Sequence, residues 1–184
     1  MAKRRTKTRK PAQPDAIKLL KDDHAAVEKL FDKYEKGHHR MTDAQKKSIA
    51  DEICQMLTVH TQIEEEIFYP ACLEAEIKEA EDLMAEAKVE HGSAKELISK
   101  IEDGRPGGAE YDAWVIVLGE YIKHHVKEEH KEIFPEVRKS DLDLKDLGMR
   151  LMERKQELMG QSPSTARGKR TNGGGLICRL VQTH

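Results

Sequence analysis

Apolar positions recur three and four residues apart along most of this chain, separated by long charged intervals, a pattern that predicts helices with one buried face. Asp15 is placed to cap a first helix that runs to about Lys36 and stops at Gly37. Thr42 or Asp43 starts a second helix through Ile49, Ile53, Leu57, His60 and Ile67, which Pro70 kinks or ends. A third spans roughly Lys78 to Glu102 and breaks at Asp103-Gly104-Arg105-Pro106-Gly107-Gly108. The fourth, from about Ala109, carries Trp114, Leu118, Tyr121, His125 and Glu129 on one face and meets Pro135. A short fifth helix begins at Asp141 or Asp143 and reaches Met159.

The chain also repeats itself. His24-Ala-Ala-Val-Glu-Lys-Leu30 parallels His91-Gly-Ser-Ala-Lys-Glu-Leu97, and 36 and 34 residues further on stand His60 and His125. Two such helix pairs with short connections predict an all-α fold, an up-down-up-down four-helix bundle with a short additional C-terminal helix and disordered tails. The expected organisation is a basic arm over 1–14, the bundle over 15–139, the appended helix over 140–160 and a flexible tail over 161–184.

Composition fits that picture. Of 184 residues 36% are charged and 4% aromatic, usage that favours long helices over sheets. The longest apolar run, Trp114 to Leu118, is too short to cross a bilayer, so no membrane partner is expected. No charged stretch leads into an apolar signal core, and Cys54, Cys72 and Cys178 share no Cys-x-x-Cys spacing; both point to a cytoplasmic protein. Six of the eight residues from Lys3 to Lys10 are basic. Without interleaved aromatics or a reader fold, that arm reads as a solubilising tail rather than a nucleic-acid contact.

The histidines change the picture most. His60-Thr-Gln-Ile-Glu64 and His125-Val-Lys-Glu-Glu129 each end in an aromatic-Pro pair, Tyr69-Pro70 and Phe134-Pro135. Residues four apart lie about 40° apart around a helix, so each imidazole and carboxylate point the same way. One such pair means little in a chain with 34 acidic residues, and His24 with Glu28 or His124 with Glu128 has the same spacing. Position decides the matter. His60 follows Leu57, Met56, Ile53 and Ile49 at helical intervals, and His125 follows Ile122, Tyr121, Leu118 and Trp114. Both pairs therefore belong to buried stripes, where uncompensated charge costs several kcal/mol. Four His and two Glu from four helices would hold two transition-metal ions. His124 turns about 100° from His125 onto the flank. His38, His39, His130 and His184 fall in loops, on polar faces or in a tail, and are expected to be solvated.

The order His24, His60-x-x-x-Glu64, His91, His125-x-x-x-Glu129, opened by Lys21-Asp-Asp-His24, resembles the hemerythrin-like HHE cation-binding domains. The resemblance covers about residues 15 to 139. It implies a non-heme centre of two iron ions in a four-helix bundle, with His24, His60, His91 and His125 as terminal ligands and Glu64 and Glu129 as bridges. The chain departs from the oxygen-carrying members, which place a second histidine four residues after the first on the third helix; here that position is Lys95. Its fourth-helix acid is a Glu at plus four rather than an Asp at plus five. One iron is thus left short of a nitrogen, and water, hydroxide, a diatomic ligand or Tyr121 is expected to complete it. Glu28, one turn after His24, is the candidate to accept that ligand's outer N–H.

Chemistry narrows the metal. Imidazole with carboxylate and no thiolate suits iron, manganese or zinc, and open positions favour a redox pair. Ferritin-type sites need Glu-x-x-His, which no helical histidine here provides. The sequence therefore predicts a protein that binds O₂, peroxide or NO at an iron pair, for sensing, buffering or detoxification. Catalysis on peroxide or NO stays open, and the missing nitrogen argues against plain O₂ carriage. The alternative is a non-enzymatic, iron-responsive interaction protein. Neither the sequence nor its spacing fixes an oligomeric state.

Overall fold

The computed structural model describes residues 15–77 and 80–160, and every element there is helical. In order these are α1 (Ala16–Gly37), a 3₁₀ turn (His38–Arg40), α2 (Asp43–Ile63), a π-helical turn (Glu64–Phe68) and α3 (Tyr69–Glu74). Then come α4 (Ala80–Asp103), α5 (Ala109–Glu128), a second π-helical turn (Glu129–Ile133), α6 (Phe134–Lys139) and α7 (Leu144–Gly160). The basic arm over 1–14, the tail over 161–184 and the expected start of the third helix at 78 lie outside the described residues. No described helix is long and apolar enough to cross a membrane.

The helix starts follow their caps. Asp15 Oδ1 accepts from the Lys18 amide at 2.8 Å, satisfying one of the amides a helix start leaves unpaired. Thr42 and Gln45 form a reciprocal box, Gln45 N–H donating to Thr42 Oγ1 and Thr42 N–H to Gln45 Oε1. Between α4 and α5 the chain turns through Gly107, whose φ of +109° favours glycine.

Of the two outcomes the sequence allows at Pro70, a kink or an end, the chain does not end: α2 passes through a widened turn into α3, and α5 passes into α6 at Pro135 in the same way. An α-helix through Pro70 would aim its ring at the Glu66 carbonyl and lack the N–H to bond it. The turn widens instead. Tyr69 N–H bonds Glu64 O, five residues back, and Phe134 N–H bonds Glu129 O in the same way. Each wide turn opens on one of the paired glutamates, and such turns recur at functional sites.

α1 packs against α2, α5 and α7, α4 packs against α2 and α5, and α7 also lies on α2. The apolar core falls into two clusters. One gathers Ile17, Leu20, Ile63, Phe68, Met84 and Phe134 with Leu147 and Leu151 of α7. The other gathers Val27, Phe31, Ile53, Leu57, Ile98 and Leu118. Between them lies a polar layer made of His24, His60, Glu64, His91, His125 and Glu129, every one buried. The second cluster also contains a polar clasp: Lys46 Nζ donates to both Asp112 oxygens at 2.9 and 2.6 Å, and Tyr34 Oη donates to Asp112 at 2.8 Å. Burial pushes the Asp112 carboxyl up, but Lys46 and Tyr34 outweigh it and hold the group below its ordinary value.

Candidate metal centre

Each long helix contributes to the polar layer at the point where its apolar stripe would otherwise continue. The Nε2 atoms all converge. His24 and His60 Nε2 lie 2.9 Å apart, and His91 and His125 Nε2 lie 3.2 Å apart. The two carboxylates span the pairs: Glu64 puts Oε1 at 3.1 Å from His60 Nε2 and Oε2 at 3.5 Å from His91 Nε2. Glu129 Oε2 lies 3.2 Å from His24 Nε2 and 3.7 Å from His125 Nε2. Two groups of ligand-type atoms result, one from His24, His60, Glu64 and Glu129, the other from Glu64, His91 and His125.

The Nδ1 atoms all face outward, onto partners that obey an internal two-fold rule. The residue before each first histidine faces the second histidine of its own pair: Asp23 Oδ2 lies 3.6 Å from His60 Nδ1, within ion-pair range but beyond a hydrogen bond, and Glu90 Oε2 accepts from His125 Nδ1 at 2.8 Å. The residue after each glutamate serves the first histidine of the other pair. Glu65 Oε1 accepts from His91 Nδ1 at 3.0 Å, and His130 Nε2 lies 3.1 Å from His24 Nδ1. A carboxylate can only accept, so the rings facing Glu65 and Glu90 carry their proton on Nδ1 and turn a bare Nε2 lone pair into the layer. The aromatic-Pro pairs obey the same rule. Tyr69 stacks on His91 with centroids 5.8 Å apart, and Phe134 stacks on His24 at 6.0 Å. Symmetry fails twice: His130 stands opposite Glu65, and Phe134 lacks the hydroxyl with which Tyr69 donates to Glu129 Oε1 at 3.3 Å.

Electrostatics asks for positive charge in this layer. Burial favours neutral His60, yet Glu64, Asp23 and Glu129 overcome it and raise the imidazole to about 10. Burial likewise pushes Glu64 up, and the His60, His91 and His125 rings pull it far below the carboxylate range. Burial, with Glu64 and Glu129, keeps the Tyr69 phenol protonated and a donor. Even so, both oxygens of Glu64 and Oε2 of Glu129 are buried with no hydrogen-bond partner among the described residues. Unpaired buried carboxylate oxygens are costly, and a cation answers that cost. The spacing fits as well. Two donor atoms each about 2.1 Å from one ion, at tetrahedral or octahedral angles, lie about 3.0 to 3.4 Å apart. Among the described residues the thiols are not contenders: burial pushes Cys54 and Cys72 up to about 12.

All six residues expected to share one interior are brought together. The two auxiliary candidates lie outside that layer. Tyr121 is 50% exposed, at the edge of the α5 stripe formed by Val115, Leu118, Ile122 and His125, where it lines a cavity that His91 and His125 also line. The tyrosine over the layer is Tyr69, carried there by the π turn. Glu28 is half-buried and makes no hydrogen bond to His24, whose Nδ1 faces His130 instead. His130 is therefore half-buried rather than solvated, and His38 is buried too, donating from Nδ1 to Glu35 O at 3.0 Å. Lys95 points away from the layer and holds Glu65, with Nζ 2.7 Å from each of its oxygens.

Among known proteins, the family described as the hemerythrin HHE cation binding domain matches residues 15–137. No curated protein and no solved structure matches the chain.

Proposed function

The chain belongs to the hemerythrin HHE cation-binding family, and from that premise we propose that its buried layer holds two iron ions. His24 and His60 serve one ion, His91 and His125 the other, and Glu64 and Glu129 are shared. The observation that carries this reading is the split of Glu64, one oxygen 3.1 Å from His60 Nε2 and the other 3.5 Å from His91 Nε2. The division of the core by that layer supports the up-down-up-down bundle. Along α1 and α4 the chain passes from the α7 cluster to the other, and along α2 and α5 it returns.

An iron pair bound there supplies one-electron redox chemistry and positions for O₂, peroxide or NO. The protein supplies the rest. Glu65 and Glu90 fix the tautomers of His91 and His125, and Tyr69 directs its hydroxyl proton at Glu129 Oε1, at the edge of the layer. Phe68, Ile63, Leu57 and Leu118 exclude bulk water on both sides. We assign the protein to the sensing, buffering or detoxification of such small oxidants. Full-length protein purified without chelator is expected to contain about two irons per chain, with charge-transfer bands that bleach under dithionite and return with O₂ or peroxide. His60→Ala is expected to lose both the metal and the bands. Full iron occupancy in that variant refutes the ligand assignment.

One observation favours the iron-responsive interaction protein as a second reading. α7, beyond the matched residues, donates from Lys155 to Asp23, the residue facing His60, and from Arg154 to Glu66 beside Glu64. Reduced protein that is inert to O₂ and peroxide, yet gains helicity with iron, would select it.

A further inference from the structure

Cavities reach the buried polar layer from two flanks of the bundle, and the flanks differ in what they offer; on the α4–α5 side a cavity of about 350 Å³ has Glu90, His91, Tyr121, His124 and His125 in its walls. On the α1–α2 side a cavity of about 230 Å³ reaches His60, but the acid nearest that histidine, Asp23, is already paired with Lys155 in the same wall. The α4–α5 side is acidic. There His124 Nε2 lies 3.0 Å from Glu128 Oε1 and 3.9 Å from Glu90 Oε1, and the three side chains offer ligand atoms within 4.8 Å of one another. Behind them a narrow crevice of about 30 Å³ runs between α4 and the second π turn, with Glu86, Glu90, Glu128 and Glu132 in its walls. It ends on His125 and Glu129, and Glu129 is fully buried with Oε2 unpartnered.

We propose that Glu90, His124 and Glu128 form a loading site for divalent transition-metal cations, which pass along the acidic crevice to Glu129 and the buried layer. This rests on reading the layer as a cation centre. The chemistry of the mouth suits transfer inward, because one imidazole and two carboxylates match the donor types inside. A cation therefore changes partners without changing ligand class. Glu90 joins the two stations, with Oε1 toward His124 and Oε2 on His125 Nδ1. His124 is 64% exposed and both glutamates are partly exposed, so the mouth meets hydrated ions and binds them weakly. A cleft lined by one sign of charge raises the association rate of its counter-ion by about 10-fold to 1000-fold.

The test is the rate of Co²⁺ uptake by metal-free, full-length protein in a stopped-flow instrument, followed by the visible absorption of the bound ion. His124→Ala/Glu128→Gln is expected to slow uptake about tenfold and to slow chelator-driven release by the same factor, leaving equilibrium affinity unchanged. A route acts on both directions equally, whereas damage to the centre changes affinity. Glu110→Gln, which removes one exposed acid at the far end of α5, is expected to load at the wild-type rate. Wild-type uptake by the double variant, or weakened affinity with unchanged uptake, overturns the loading site and leaves the centre standing. A wild-type protein that takes up no Co²⁺ overturns both.

Discussion

Glu65→Ala removes the carboxylate that orients His91, and its effect can be worked from three contacts. Oε1 accepts from His91 Nδ1 at 3.0 Å, and Lys95 Nζ lies 2.7 Å from each oxygen. A hydrogen bond to a charged group contributes about 1.5 to 3 kcal/mol. The Glu65 side chain is 28% exposed and shares its charge with Lys95, which sets the value near the lower end, about 1.5 kcal/mol. His91 is then free to rotate or to present the wrong tautomer, and affinity for one cation falls about tenfold. Glu65→Gln keeps an acceptor and loses the charge, so about half that energy, roughly a threefold loss, is expected. Chelator-competition titration with Co²⁺ is expected to separate the two equivalents proposed above. His91 belongs to one of the two ligand groups, so one equivalent should weaken and the other hold. Equal weakening of both, or of neither, refutes the claim that the outer partner tunes a single metal position.

Two further perturbations test the scaffold. Asp112→Asn leaves Lys46 buried against a neutral amide and is expected to cost about 3 kcal/mol in urea unfolding, the lower end for a broken buried ion pair. Because the folded Asp112 carboxyl lies below its ordinary 3.8, its contribution is present above that pH and disappears as pH falls through the folded value; the variant's stability should be flatter with pH there. Gly119→Ala would set a Cβ 2.9 Å from the Phe31 ring, itself packed in the core. The overpacking cost of about 1 to 3 kcal/mol exceeds the roughly 1 kcal/mol gain in helix propensity, so a net loss in thermal stability is expected.

The long helices were legible because their stripes, caps and glycine breaks agree. Asp15, Thr42 and the break from Gly104 to Gly108 mark ends the structure also uses. The six layer residues were legible because they interrupt those stripes at matched depth. Their outer partners were not. Asp23, Glu65, Glu90 and His130 sit one position off the buried face, and whether such a side chain meets a neighbouring helix depends on how the helices cross. Helical spacing back from His125 placed Tyr121 over the centre, but that stripe is narrow and leaves Tyr121 at its edge. Tyr69 was hidden for a different reason: the widened turn after Glu64 shifts helical phase by one residue, which no fixed periodicity anticipates. The aromatic-Pro pairs at 69–70 and 134–135 were the available signal, since a proline inside a continuing stripe forces such a shift.

The polar layer has one more consequence, for how the molecule comes apart. It separates two apolar clusters that touch each other little except through six ionisable side chains. Cooperativity between two half-cores needs an energetic link across their boundary. With a cation bound, each ion ties residues of several helices into one joint, and the whole bundle opens as a single unit. Stripped of it, the boundary holds buried carboxylate oxygens without hydrogen-bond partners, and the half covered by α7 is expected to open separately from the half clasped by Lys46 and Asp112. Loading is then expected to be a folding event as well as a binding one, joining two foldons into one.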